Sequence, residues 1–411
     1  MGIFKAPGIL QPATTSKAPR VISLDVFRGF TMAVMIFVNE LSSAKGLPWW
    51  TYHAPGNVDV MTYVDMVFPF FLFIVGMSLP LSVAQRLKRN GSLAALWVHI
   101  AVRSGSLIVL GLILANAEKA DPARMGISGN LWALLGLISA GLYLNIYPES
   151  TRFPSYSRVL RFIGLASLIV LYAIFRRTTS TGASGWIDGS YPEILGLIGY
   201  TYLAVATLYV LTRRWAFAPV AWFVLLIALC VITAQRILVF PDHTPLYFWP
   251  FGNGSMAAIT MAGVVTTSIF ISIGHFPRMR RPFVVSGIFA LLCFAAGRLF
   301  VPLGISKIRA TPTWSLYSIG ASILVFALFY WICDVKHQTR WAELLRPAGA
   351  NTLLTYLLPD VWYFLFAVTG ITFLDRHWNY GAPAVVKTLL FTLLILVIAK
   401  VLTKARVRLQ L

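Results

Sequence analysis

Arg28, Asn39, His53 and Asp65 are polar residues set into or between two long apolar runs near the start of the chain. A charge inside a bilayer costs roughly 2.5–3.5 kcal/mol even on lenient insertion scales, so such residues are functional candidates. The first run begins Asp25-Val26-Phe27-Arg28-Gly29 and ends Val38-Asn39-Glu40. The second opens Tyr63-Val64-Asp65 and passes through Phe68-Pro69-Phe70-Phe71 to Gly76. The loop between them reads Trp49-Trp50-Thr51-Tyr52-His53-Ala54-Pro55. Histidine changes protonation near neutrality, which suits a general base or a transient acyl carrier. Asp65 can orient that imidazole, cap its own helix with Thr62, or do both. Arg28 and Asn39 stand eleven residues apart, so on a helix they return to nearly one face, about 16 Å apart along the axis. That stripe suits a ligand with an anionic head and a long thin arm. The plainer reading is an arginine snorkelling to the interface, with Asp25 one turn away as its partner, and an asparagine ending the helix.

The elements that must position these groups are membrane helices. Apolar residues make up 58% of the 411 and charged ones only 12%, more apolar surface than a soluble domain can hide. Apolar runs near 22–41, 63–84, 95–115, 129–147, 159–176, 191–211, 217–237, 254–274, 283–303, 314–334, 351–370 and 383–403 are each about long enough to span a bilayer. The expected fold is therefore all-α, a polytopic bundle of about twelve transmembrane helices, with a polar tail over 1–20 and one membrane domain over 21–411. The tail has no apolar core of a signal peptide, so the first helix is expected to act as the insertion signal. The formal charge of +20 reflects basic loops rather than a nucleic-acid surface. Lys88, Arg89, Arg152, Arg213, Arg214, Arg278, Arg340 and Lys404 fall in alternate connections, which predicts cytoplasmic termini and an outward His53. Cys230, Cys293 and Cys333 lie in apolar runs without ligand spacing, so neither a disulfide framework nor a metal site is expected.

The same residues carry a resemblance. Phe27-Arg28-Gly29, Val38-Asn39, His53-Ala54 and Asp65-x-Val67-Phe68-Pro69 through Phe73-Ile74-x-Gly76 resemble the heparan-α-glucosaminide N-acetyltransferase family and its bacterial relatives. Arg103-Ser104, Trp314-Ser315-Leu316 with Lys307 upstream, and Gly349-x-Asn351-Thr352-x-Leu354-x-Tyr356 are similar to later family segments. The resemblance implies a transmembrane acyltransferase of a bacterial inner membrane. Such an enzyme moves acetyl from cytosolic acetyl-CoA, its co-substrate, to an amino sugar or other glycan on the far side. By motif, His53, Asn39 and Asp65 would be catalytic. Arg28, Arg103, His99 and Asn351 would hold the donor, and Trp49, Trp50, Lys307 and Trp314 the acceptor. The bilayer is the other partner, and a homodimer is left open. Two rival readings stand beside this one. A secondary transporter of sugars or glycan fragments would use Asp360, Glu193 and Asp334 as coupling groups inside the membrane. A non-catalytic relative would fit Gly129-Asn130-Leu131-Trp132-Ala133, which lacks the polar pair of the family's Gly-Val-Leu-Gln-Arg.

Overall fold

Backbone surrounded by lipid must satisfy its hydrogen bonds within the segment, so apolar runs of this length become helices. The computed structural model describes residues 21–147, 156–239, 252–274, 280–371, 373 and 377–409. Among them run α1 (Ile22–Leu41), α2 (Val67–Asn90), α3 (Leu93–Asn116), α4 (Gly129–Leu144), α5 (Tyr156–Ile174) and α6 (Glu193–Thr212). The order continues with α7 (Ala218–Ala234), α8 (Ser255–Gly274), α9 (Arg280–Leu299), α10 (Pro312–Tyr330), α11 (Thr352–Thr369) and α12 (Gly381–Lys404). Each corresponds to one of the twelve apolar runs. Among the described residues, nine are long and apolar enough to cross a membrane, and α4, α7 and α8 offer shorter apolar stretches. The protein is an all-α polytopic membrane protein, its described strands limited to Arg177–Thr178 paired with Ser184–Gly185. The tail over 1–20 and the loop cations Arg152 and Arg278 lie outside the described residues.

The chain forms two compact units. The first takes the chain up to Thr31, Pro48–Ala101 and Tyr200–Ala342. Its closest helix pair is α2 with α8. A Cβ at Gly76 would overlap the Thr260 carbonyl, and one at Gly263 would overlap that of Phe73. The glycines therefore let the two backbones touch, and Thr267 Oγ1 then donates to Met77 O across the crossing at 2.9 Å. Phe27 of α1 is fully buried, its ring 5.6 Å from Phe70, 6.4 Å from Phe326 and 5.8 Å from Phe329. The start of α1 is capped from a distance. Asp334, in the π-helical turn after α10, accepts from the backbone N–H of Ile22 at 3.1 Å and of Ser23 at 2.9 Å. These donors have no partner within the helix, and a carboxylate also complements the positive end of the dipole.

The second unit takes Met32–Leu47, Val102–Gly199 and the chain from Glu343 on. Here α4 packs on α5. Trp132, at the position where the resemblance breaks, is buried and donates from Nε1 to Leu171 O at 2.8 Å. An indole thus fills the interface and satisfies its own N–H. Asn351 ties down the C-terminal segment: its Nδ2 donates to Thr403 Oγ1 at 3.0 Å and Val407 O at 2.8 Å, and its Oδ1 accepts from Leu409 N at 3.1 Å.

Candidate active site

In the first unit, the His53 loop is built on a single carboxylate. A short 3₁₀ turn over Tyr63–Met66 precedes α2. Asp65 Oδ2 accepts from Thr62 N at 3.0 Å, Thr62 Oγ1 at 3.3 Å and Ala54 N at 3.3 Å. Its Oδ1 lies 2.8 Å from His53 Nδ1. One carboxylate oxygen thus takes the cap contacts and the other meets the imidazole. Asp65 is 1% exposed and the His53 side chain 42% exposed, so a fixed, buried acceptor holds a ring whose other edge is open. When Asp65 is ionised it can only accept, so Nδ1 carries the proton of that bond. The neutral ring then keeps its lone pair on Nε2.

The second side of this site comes from the loop between α9 and α10. Lys307 Nζ lies 3.4 Å from both ring nitrogens of His53. Asp59 staples the two loops together by accepting from Ile305 N at 3.1 Å and pairing with the Arg309 guanidinium. Arg309 is the main reason the exposed Asp59 carboxyl sits below the usual carboxylate range, with the Ile305 N–H helping. Gly304 adopts φ +90°, and a Cβ there would meet Asp59 Oδ1 at 2.5 Å. Only glycine fits both demands. Trp314 is 1% exposed and donates from Nε1 to Asp65 O at 3.1 Å, so its indole braces the residue that holds His53. Trp49 and Trp50 are 64% and 52% exposed, and Trp50 lies 6.2 Å from the Tyr63 ring.

A second cluster of the same unit surrounds Arg28. Its guanidinium reaches Asp25 Oδ1 at 3.3 Å and donates to Ser78 Oγ. Asn39, Arg103 and Asn351 belong to the second unit. Asn39 is exposed in the last turn of α1. Arg103 and, one turn earlier on α3, His99 are partly buried. Asn351 is 2% exposed, and its amide meets Thr403, Val407 and Leu409 of the C-terminal segment. Two of the acids named for the transporter reading accept from backbone N–H groups, Asp334 from Ile22 and Ser23 and Glu193 from its own next residue. Sequence reasoning missed Ser78, the Asp59–Arg309 staple, and a buried pair in the second unit, Glu40 with Lys387 at 2.9 Å. The signal for the last was present, since Lys387 is an ionisable residue inside an apolar run.

These features define a class: a polytopic helical membrane protein with a carboxylate-oriented histidine in a loop between its first two spans. A domain of unknown function (DUF5009) matches residues 20–193, which take in Arg28, Asn39, His53 and Asp65. The chain is 41% identical over 112 residues to heparan-α-glucosaminide N-acetyltransferase of Homo sapiens. It is 39% identical over 107 residues to the same protein of Mus musculus. Each match covers 26% of this chain and 16% of the mammalian protein. Over that stretch, about a quarter of its length, the chain is similar to these N-acetyltransferases, and it spans only a small part of their length.

Proposed function

We propose that this chain is a membrane acetyltransferase that uses His53 to move an acetyl group from acetyl-CoA to an amino sugar or related glycan. The observation that carries this reading is the Asp65–His53–Lys307 arrangement: Nδ1 held at 2.8 Å by a buried carboxylate, with an ammonium 3.4 Å from Nε2. In the transfer step the acceptor nitrogen attacks the acyl carbon and the N–C bond forms. The thioester C–S bond breaks, the amine proton passes to Nε2, and CoA leaves as thiolate. In the covalent variant, Nε2 itself takes the acetyl first. Lys307 would donate to the acyl oxygen as it gains charge. Arg28 and His99 would meet the phosphates of the donor from the cytoplasmic side, with His53 facing outward. The exposed faces of Trp49 and Trp50 suit the apolar face of a sugar ring.

The test is direct. Purified protein in detergent, given radiolabelled acetyl-CoA and glucosamine, should yield labelled N-acetylglucosamine with release of one free thiol per acetyl moved. Proteoliposomes that accumulate unmodified sugar and release no thiol would instead favour the transporter.

A further inference from the structure

The His53 site holds an amine of its own. Lys307 Nζ lies 3.4 Å from Nε2 of His53 and equally far from Nδ1. The contact lies wholly within the first unit, and both partners stand on closed backbone. On the lysine side, Ser306 N donates to Thr311 Oγ1 and Thr311 N donates back to Ser306 O, each at 3.1 Å. Ala310 N then donates to Lys307 O at 3.0 Å. On the histidine side, Asp65 fixes the ring through Nδ1. Between the loops, Ile308 packs on Gly56, where a Cβ would meet its Cγ2 at 3.2 Å. The lysine is thus delivered to the imidazole by a built loop.

An acceptor sugar offers an acyl group a primary amine, and so does Lys307. Reacting atoms held about 3–3.5 Å apart are at near-attack distance, where an effectively intramolecular step gains most. An acyl carbon on Nε2 is one bond beyond an atom that Nζ already approaches. An acylated ring that keeps its Nδ1 proton is a cation. A second cation at that range is repelled, which favours release of the lysine proton to solvent. The free amine that remains is a nucleophile.

We propose that Lys307 is a self-acetylation site: with no acceptor bound, the acetyl group on His53 passes to Lys307 Nζ. The inference rests on the acetyl-transfer reading, in the variant where Nε2 first takes the acetyl from acetyl-CoA. Nζ attacks the acyl carbon and the new N–C bond forms. The bond from Nε2 to the acyl carbon breaks, its electron pair returns to the imidazole, and one amine proton leaves to solvent. The product is an Nε-acetyllysine and a neutral His53. Acetylation removes the lysine charge, so the ammonium that would donate to the acyl oxygen is gone. A site loaded with donor and empty of sugar thereby shuts itself off.

The test incubates purified protein with labelled acetyl-CoA, with and without glucosamine, and maps acetylated peptides by mass spectrometry. The exposed Lys45 and Lys88 report the chemical background. Lys307 should exceed them by roughly 10²-fold or more, and glucosamine should lower its label by competing for the same acetyl group. His53→Ala should bring Lys307 down to background, and His53→Gln, closer in shape, should do the same if the alanine variant folds poorly. A second arm uses p-nitrophenyl acetate, an activated ester that acylates a neutral imidazole without a CoA site. Lys307 should again lead Lys45 and Lys88 in the parent and lose that lead in His53→Gln. If acetyl-CoA labels neither glucosamine nor Lys307, the functional reading has failed, and the ester arm still decides whether His53 hands acetyl to Lys307. Acetylated glucosamine with Lys307 at background would overturn the proposal and leave the functional reading standing. Equal labelling of Lys307 in His53→Gln and parent would overturn it as well.

Discussion

At the scale of residues, the account turns on one carboxylate serving two masters. Asp65 caps the turn that starts α2 with one oxygen and holds His53 with the other. Asp65→Asn keeps the shape but replaces one acceptor with an amide, so the ring loses the partner that fixes its tautomer. Acetyl transfer should fall by roughly 10²–10⁴, the usual cost of a lost general base, with CoA binding unchanged by calorimetry. Loss of CoA binding in the same variant would show that Asp65 shapes the donor site instead. Lys307→Met should lower kcat by roughly 10²–10³ if its ammonium meets the acyl oxygen. A rise in acceptor KM at unchanged kcat would make it a substrate anchor. The motif residues Trp314 and Asn351 show what sequence withholds. Residue type says that a polar group needs a partner but not which one: here Trp314 Nε1 meets the Asp65 carbonyl and the Asn351 amide meets the C-terminal segment.

At the scale of elements, two packing devices place the site. The α2–α8 crossing depends on glycine, so Gly76→Ala or Gly263→Ala drives a methyl into a carbonyl. Overpacking of this kind costs about 1–3 kcal/mol or more. Either variant should show a lowered melting temperature and reduced yield of folded protein, and a parent-like melt would mean that the helices can part at no cost. The second device is the Asp59–Arg309 staple between the His53 and Lys307 loops. Because Arg309 holds Asp59 below its unfolded value, the staple is complete above about pH 4. It is lost only as pH falls through the depressed folded value. It therefore does not titrate between about pH 5 and 8, where an imidazole does. Asp59→Asn should leave the shape of the pH–rate profile in that window unchanged, and a displaced inflection would contradict this. The twelve helices were legible because lipid forces an apolar run to become a helix. Of the Glu40–Lys387 pair only the lone cation in an apolar run was legible, since hydrophobic periodicity does not say which helix ends meet.

At the scale of the whole molecule, the loop charges make a further prediction about sidedness. If His53 faces outward and the Lys88 loop faces the cytoplasm, a cysteine beside His53 should react with an impermeant thiol reagent in intact cells. One beside Lys88 should react only after the membrane is opened. The reverse labelling would remove the basis for transfer across the bilayer. Arg28 gives the matching test on the donor side. Charge-assisted hydrogen bonds are worth about 1.5–3 kcal/mol, so Arg28→Gln should weaken CoA binding by roughly ten-fold or more, provided that loss of the Asp25 contact leaves folding intact.

Whether His53 performs the transfer is decided by one comparison. Parent and His53→Ala proteins, purified side by side, are given labelled acetyl-CoA and glucosamine, with CoA binding measured on the same samples. The account predicts that His53→Ala binds CoA as the parent does and moves no detectable acetyl to the amine. Transfer by His53→Ala at the parent rate would contradict it.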